Sequence, residues 1–134
     1  MKKINKTTSP TRSRDKVLQT LYEMEISEKE LKQVLQNHSS EKSNLLYKEI
    51  LNGVIESKEK IDEMVFKHSN RPVEKLDFIE RNAIRIAIYE LINKKVDPAV
   101  SINEAIRMSK KYGSSEGYKL VNAVLDSIVK ESHS

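Results

Sequence analysis

One segment is apolar around most of its circumference when it is read as a helix, and this constrains the fold more than any other feature. Apolar residues of segment 78–93 cover far more than one helical face: Ile79, Ala83, Ile84, Ile86, Ala87, Ile88 and Leu91. Such a helix must be covered by other elements on several sides. We therefore predict a central buried helix, opened by a capping box of Asp77 and Glu80.

The first third of the chain shows helical spacing of apolar residues. Ser9-Pro10 is typical of a helix start, with serine as the N-cap and proline at the first helical position. The pattern predicts a helix to about Ile26, followed by a second short helix over residues 31–35 and a loop over residues 37–40.

A longer helical pattern runs over residues 43–68. Gly53 and Ser57 weaken its middle, so both one helix and two helices meeting at a bend remain open. Arg71-Pro72 ends the segment, because the residue before a proline avoids the helical region.

The last third predicts two more helices after Pro98 breaks the central one. Ser101 and Glu104 indicate a capping box that opens a helix ending at Gly113, and Ser115 indicates the cap of a final helix. No segment shows sustained period-two alternation. We predict an all-α protein, a single domain of about six or seven helices.

Positive charge is concentrated at the beginning of the chain. Residues 1–16 hold six basic residues against one aspartate, a balance of +5, whereas the whole chain carries +4. The basic residues are Lys2, Lys3, Lys6, Arg12, Arg14 and Lys16. We predict a basic flexible arm over residues 1–10 and a helical domain over residues 11–134. Such an arm binds phosphates or an anionic membrane surface, or only solubilises the chain.

The sequence lacks the residue patterns of several kinds of catalytic, metal and phosphate-binding site. There are no cysteines, the three histidines lack ligand spacing, and the three glycines form no phosphate loop. No serine stands in a nucleophile elbow. We expect no enzyme activity, no metal and no cofactor. No apolar run approaches the roughly 20 residues of a membrane span, so we expect a cytoplasmic protein.

Blocks of sequence in the C-terminal half carry a family resemblance. They are IRIAIYEL at residues 84–91, SINEA at residues 101–105 and KLVNAVLD at residues 119–126. Supporting blocks are RSRDKVLQTLY at residues 12–22, LYKEILNGV at residues 46–54 and KKYG at residues 110–113. In this order and spacing, over roughly residues 11–130, the chain resembles the NusB family of bacterial transcription antitermination factors.

The resemblance implies a fold of two packed helical bundles and a function without catalysis or cofactor. Family members pair with a small-subunit ribosomal protein, called NusE in this context. The pair binds the single-stranded boxA element of ribosomal RNA leaders and helps the RNA polymerase antitermination complex to read through terminators. Some members form homodimers, which leaves a homodimer open here.

The resemblance also implies site residues. The RNA surface falls on the start of the first helix and on the last helix: Arg12, Arg14, Lys16, Tyr22, Lys119, Leu120 and Asn122. The surface for the ribosomal protein falls on Glu80, Ile84 and Glu116. Leu120 stands where relatives often have phenylalanine, so we expect RNA binding to be more electrostatic and less base-selective.

Polar residues of the same blocks have a structural interpretation. For Arg85, Glu90, Asn103 and Glu104, a network between helices and a helix cap are favoured over direct RNA contact. Other functions also remain open. A NusB-like domain precedes some ribosomal RNA cytosine methyltransferases, although at 134 residues no methyl-transfer domain is expected here. The alternative is a homo-oligomeric helical interaction protein without specific RNA binding.

Overall fold

The computed structural model describes residues 9–132, and in this range the chain is helical with no strand. The α-helices are α1 (Pro10–Ser27), α2 (Leu31–Gln36), α3 (Leu45–Glu56), α4 (Lys58–Ser69), α5 (Phe78–Asn93), α6 (Pro98–Tyr112) and α7 (Gly117–Ser132). Short 3-10 helices at Ser39–Glu41 and Val73–Lys75 lie before α3 and α5. Seven α-helices over these residues confirm the predicted all-α class.

Helix α5 lies at the centre of the molecule, as its apolar circumference predicts. Every residue from 82 to 90 is buried. The helix packs against α1 and α3 on one side and against α4, α6 and α7 on the other. Helices α1–α3 thus form one bundle and α4–α7 a second, and α5 joins the two.

Both predicted features at the beginning of α1 are confirmed. The Ser9 hydroxyl accepts a hydrogen bond from the backbone N–H of Arg12 at 3.1 Å, and Pro10 is the first helical residue. Pro10 therefore belongs to the helix and not to the arm. The rest of that predicted arm, residues 1–8 with Lys2, Lys3 and Lys6, lies outside the described residues.

The long pattern over residues 43–68 is two helices, the second of the two alternatives left open. Helix α3 ends at Glu56 and α4 begins at Lys58, with Ser57 between them. Packing explains the glycine at position 53 of α3, because a Cβ at Gly53 would overlap the ring of Tyr89 on α5. The absence of a side chain lets α3 approach the central helix closely.

The predicted capping box at the start of α5 is wrong. Asp77 occupies the N-cap position, but its side chain makes no capping hydrogen bond. Glu80 does not reach back to the helix start, because its carboxylate is buried and accepts a hydrogen bond from Ser109 of α6 at 3.1 Å. A tertiary partner therefore replaces the local one.

The predicted capping box of Ser101 and Glu104 is also wrong, since both residues lie inside α6. The helix begins at Pro98, and Asp97 Oδ1 accepts from the backbone N–H of Ala99 at 3.0 Å. Proline at the first helical position is already in the helical φ region, which makes this the better start.

The last two helices end and begin close to the predicted residues. Helix α6 ends at Tyr112, with Gly113 as its C-cap in an extended conformation at φ −102°. Helix α7 begins at Gly117, so the predicted cap residue Ser115 lies in the turn before it. No helix among residues 9–132 is long and apolar enough to cross a membrane.

Replacing Gly53 with alanine should destabilise the protein although alanine is the better helix former. The new methyl group must push the Tyr89 ring away from α3, and overpacking of this kind costs about 1–3 kcal/mol. Urea denaturation followed by circular dichroism measures the loss. Asn52→Ala on the exposed side of the same helix is the control, with an expected change within about 0.5 kcal/mol. Equal stability of the two variants would contradict the packing argument.

Candidate nucleic-acid interface

Arg14 of α1 is buried in an ion cluster between three helices. Its side chain is 4% exposed, and it pairs with Glu90 of α5 at 2.9 Å and with Glu104 of α6 at 3.0 Å. Ser101 donates a further hydrogen bond to Glu90 at 3.3 Å. Arg14, predicted from the resemblance as an RNA contact, therefore has its charge compensated inside the protein, and its guanidinium is not exposed to a phosphate.

Arg107 extends this cluster toward the surface. It pairs with Asp15 and with Glu104, each at 2.8 Å. Burial by itself would raise the pKa of Glu104, but hydrogen bonds from Arg107, Thr11 and Arg14 outweigh it and lower that pKa. Burial would likewise lower the pKa of Arg107, and its hydrogen bonds to both carboxylates raise it instead. The first turns of α1 are thus fixed to α6 by charged hydrogen bonds.

Arg12 and Lys16 lie on the outer face of α1. Arg12 is 47% exposed and forms two hydrogen bonds to Glu41, at 3.0 and 2.8 Å. Burial by itself would raise the pKa of Glu41, but hydrogen bonds from Arg12, Asn44 and Ser40 lower it. Arg12 retains further N–H donors for a phosphate, because a guanidinium has five in total. Lys16 is half-buried and has no ion-pair partner within residues 9–132.

An aromatic groove follows Lys16 along α1. Tyr22 is 37% exposed, and its ring meets that of Phe78 edge-on with the centroids 6.0 Å apart. The groove beside it holds about 390 Å³. Its lining comprises Leu18, Gln19, Tyr22, Glu23, Ile79 and Tyr112. An exposed ring beside a groove of this kind can contact an unstacked base.

The end of α6 connects α1 with the start of α7. The Tyr112 hydroxyl donates to Asp15 of α1 at 3.2 Å, and Lys111 lies 3.7 Å from the same carboxylate. Lys110 lies over the ring of Tyr118 on α7 at 4.5 Å. The last turn of α6 therefore contacts both α1, through Asp15, and α7, through Tyr118.

The predicted residues of α7 differ in their exposure. Lys119 is 65% exposed and pairs with Glu116 at 2.5 Å, and Asn122 is exposed one turn further on. Leu120 is only half-buried, but it packs against the hydrophobic core. Lys119 and Asn122 thus present polar groups to solvent, whereas Leu120 serves mainly packing.

Two of the residues predicted for the ribosomal protein lie below the surface. Ile84 is fully buried, because α5 is central, and the residue exposure of Glu80 is 2%. Glu80 packs against the backbone at Gly113 and Gly117, where a Cβ at either glycine would overlap its carboxylate. Glu116, in the turn between those glycines, is exposed. Of the three residues, only Glu116 can contact a partner without rearrangement.

Sequence reasoning missed Glu41, Arg107 and Asp15. No sequence signal distinguishes these residues from the many other charged residues of the chain, because the pairs Arg12–Glu41 and Asp15–Arg107 join positions 29 and 92 residues apart. The network interpretation of Arg85, Glu90 and Glu104 is confirmed, since each pairs across helices. Arg85 pairs with Asp62 at 2.9 Å and with Glu25 at 3.2 Å.

Known proteins resemble this chain in sequence. Residues 11–130 match the model of the NusB family. The chain is 35% identical over 119 residues to the transcription antitermination protein NusB of Bacillus licheniformis, covering 87% of this chain and 92% of that protein. It is 35% identical over 131 residues to NusB of Dehalococcoides mccartyi, covering 92% of each.

Solved structures show the same fold. T. maritima NusB matches with a TM-score of 0.81 at 29% identity, covering 92% of each chain. A crystal structure of the antitermination factors NusB and NusE in complex with double-stranded RNA matches with a TM-score of 0.77 at 26% identity. That match covers 89% of this chain and 94% of the other.

Arg12→Ala should destabilise the protein by about 1–3 kcal/mol at neutral pH, because the buried Glu41 loses a charged donor. The pKa of Glu41 lies below its ordinary value of 4.5, so the stabilisation is present above pH 4.5 and is lost as pH falls through the lowered pKa. The difference between wild type and variant should therefore shrink below pH 4.5.

Urea denaturation at several pH values measures this difference, with Arg12→Lys as the control that retains a positive charge. A destabilisation that is independent of pH would show that Arg12 acts through packing and not through Glu41.

Proposed function

The chain belongs to the NusB family, and from this membership we propose that it is an RNA-binding adaptor of transcription antitermination. With the ribosomal protein NusE it binds the boxA element of ribosomal RNA leaders and helps RNA polymerase to read through terminators. The observation that carries the proposal is the basic end of α6, where Lys111 lies 3.7 Å from Asp15 of α1 and Lys110 lies over the ring of Tyr118 of α7. An adaptor of this kind needs neither catalysis nor a cofactor.

The proposed RNA contacts are the exposed members of the predicted set together with the half-buried Lys16. Arg12, Lys16 and Lys119 contact phosphates, and Asn122 and Tyr22 contact bases or sugars. Arg14 contributes indirectly, because its buried ion pairs hold the first turns of α1 in place. Leu120 supports Lys119 and Asn122 from below.

The proposed surface for NusE is centred on Glu116. Its carboxylate is exposed in the turn before α7, where a basic ribosomal protein can pair with it. Glu80 acts as a positioning residue, since its carboxylate packs against the glycines on both sides of this turn. Ile84 anchors α5 in the core beneath the turn.

The experiment is a fluorescence anisotropy titration of labelled boxA RNA with and without NusE. A scrambled single strand and a boxA duplex are the controls, because the similar complex contains double-stranded RNA. The proposal expects selective binding to the single strand that tightens with NusE. Equal weak binding to all RNAs, with self-association in sedimentation, would favour the homo-oligomeric alternative instead.

Lys16→Ala and Lys119→Ala should each weaken boxA binding and reduce its dependence on salt. Each lost phosphate contact should make the negative slope of log K against log salt shallower by about 0.7 for a single strand. Titrations at several salt concentrations measure the slope. Lys60→Ala and Lys75→Ala, on the exposed surface of α4 and before α5, are controls with the same loss of charge. Slopes that change equally in all four variants would indicate an effect of net charge alone.

A further inference from the structure

A pocket of about 400 Å³ lies between α2, the 3-10 helix at Ser39–Glu41 and α3. Apolar side chains of its lining are buried or half-buried, namely Leu35, Tyr47 and Leu51. The amide side chains of Gln36 and Asn52 also line it and are exposed. The pocket thus combines apolar contact area with hydrogen-bond donors and acceptors.

Positive charge surrounds this pocket without compensation. Its lining includes Lys32, Lys42 and Lys48, which are exposed and have no ion-pair partner in the described part of the chain. Glu41 is the single carboxylate of the lining, and it is 1% exposed and held by Arg12. The charge of Glu41 is therefore already neutralised, and the three lysines favour an anionic ligand.

The pocket adjoins Arg12 of the basic face of α1 through Glu41, which both contacts Arg12 and lines the pocket. The Arg12 guanidinium, at 2.8 Å from Glu41, contacts a residue that lines the pocket. A polyanion that contacts Arg12 can therefore extend to the three lysines of the pocket. This adjacency favours an extended strand over a small free anion.

We propose that the pocket is a subsite for one unstacked nucleotide of the bound RNA strand. The base lies against Leu35 and Leu51, its edge meets Gln36 or Asn52, and the adjoining phosphates pair with the lysines. The subsite rests on the proposed RNA-binding function and extends its footprint from α1 to α2 and α3. Tyr47 provides no ring face, because it is buried and its hydroxyl is hydrogen-bonded to Thr20 at 2.6 Å.

The first test replaces Lys32, Lys42 and Lys48 together with alanine and measures RNA binding at several salt concentrations. The probe is boxA RNA with additional unpaired nucleotides at both ends, in the presence of NusE. Loss of three phosphate contacts should make the negative slope of log K against log salt shallower by about 2. A variant with alanine at Lys58, Lys60 and Lys75 is the matched control, since these lysines are also exposed and carry the same charge.

An unchanged slope in the first triple variant, or an equal change in both, would overturn the subsite. Circular dichroism and urea denaturation establish that both variants fold as wild type does. If the first variant loses NusE binding while its RNA slope is unchanged, the pocket is a protein contact and the RNA subsite is wrong.

The second test is photocross-linking with RNA that contains 4-thiouridine at successive positions, followed by mass spectrometry. The proposal expects at least one position to cross-link within residues 32–52, and Gln36→Ala to weaken that adduct. Cross-links confined to α1 and α7 would overturn the subsite and leave the proposed function standing. Absence of RNA binding by the wild-type protein, with and without NusE, would overturn both.

Discussion

Arg14 is a buried charged residue, and its ion pairs determine which side of α1 faces solvent. Its guanidinium lies between Glu90 of α5 and Glu104 of α6 with 4% of the side chain exposed. Removing one partner from a buried ion pair costs about 3–5 kcal/mol, because the remaining charge is left uncompensated. Helix α1 is therefore fixed with its Arg14 side inward, and the side with Arg12 and Lys16 faces outward.

A second cluster fixes the other end of α1 in the same manner. Glu25 pairs with Arg81 at 3.0 Å and with Arg85 at 3.2 Å. Burial would raise the pKa of Glu25, but the hydrogen bond from Asn82 and the charges of both arginines lower it. Because residue 14 meets residue 90 while residue 25 meets residue 85, α1 runs antiparallel to α5. Two charged attachments on one helix give a rigid surface, which reduces the ordering cost of binding.

The spacing of apolar residues in the sequence predicts this fold well. The two predicted capping boxes fail, although the Ser9 cap is confirmed. The apolar circumference of α5 required neighbours on several sides, and this holds for any arrangement of the remaining helices. The two capping boxes failed for different reasons: the carboxylate of Glu80 bonds elsewhere, and α6 begins at Pro98, before the predicted cap Ser101. Glu80 accepts from Ser109, 29 residues away, and Glu104 from Arg14, 90 residues away, and neither partner is visible from spacing along the chain.

The candidate site shows the same limit, because a count of charges does not reveal which of them are neutralised. Most arginines pair with carboxylates, namely Arg12, Arg14, Arg81, Arg85 and Arg107. Their planar guanidinium groups suit several simultaneous hydrogen bonds between helices. Lysines such as Lys16, Lys42 and Lys48 have no such partner within the described residues. Arg14, Arg81 and Arg85 thus maintain the scaffold, and the unpaired lysines leave positive charge near the surface. A lysine contacts phosphate as a point charge, so the proposed RNA contacts of these residues imply binding that depends on salt more than on base sequence.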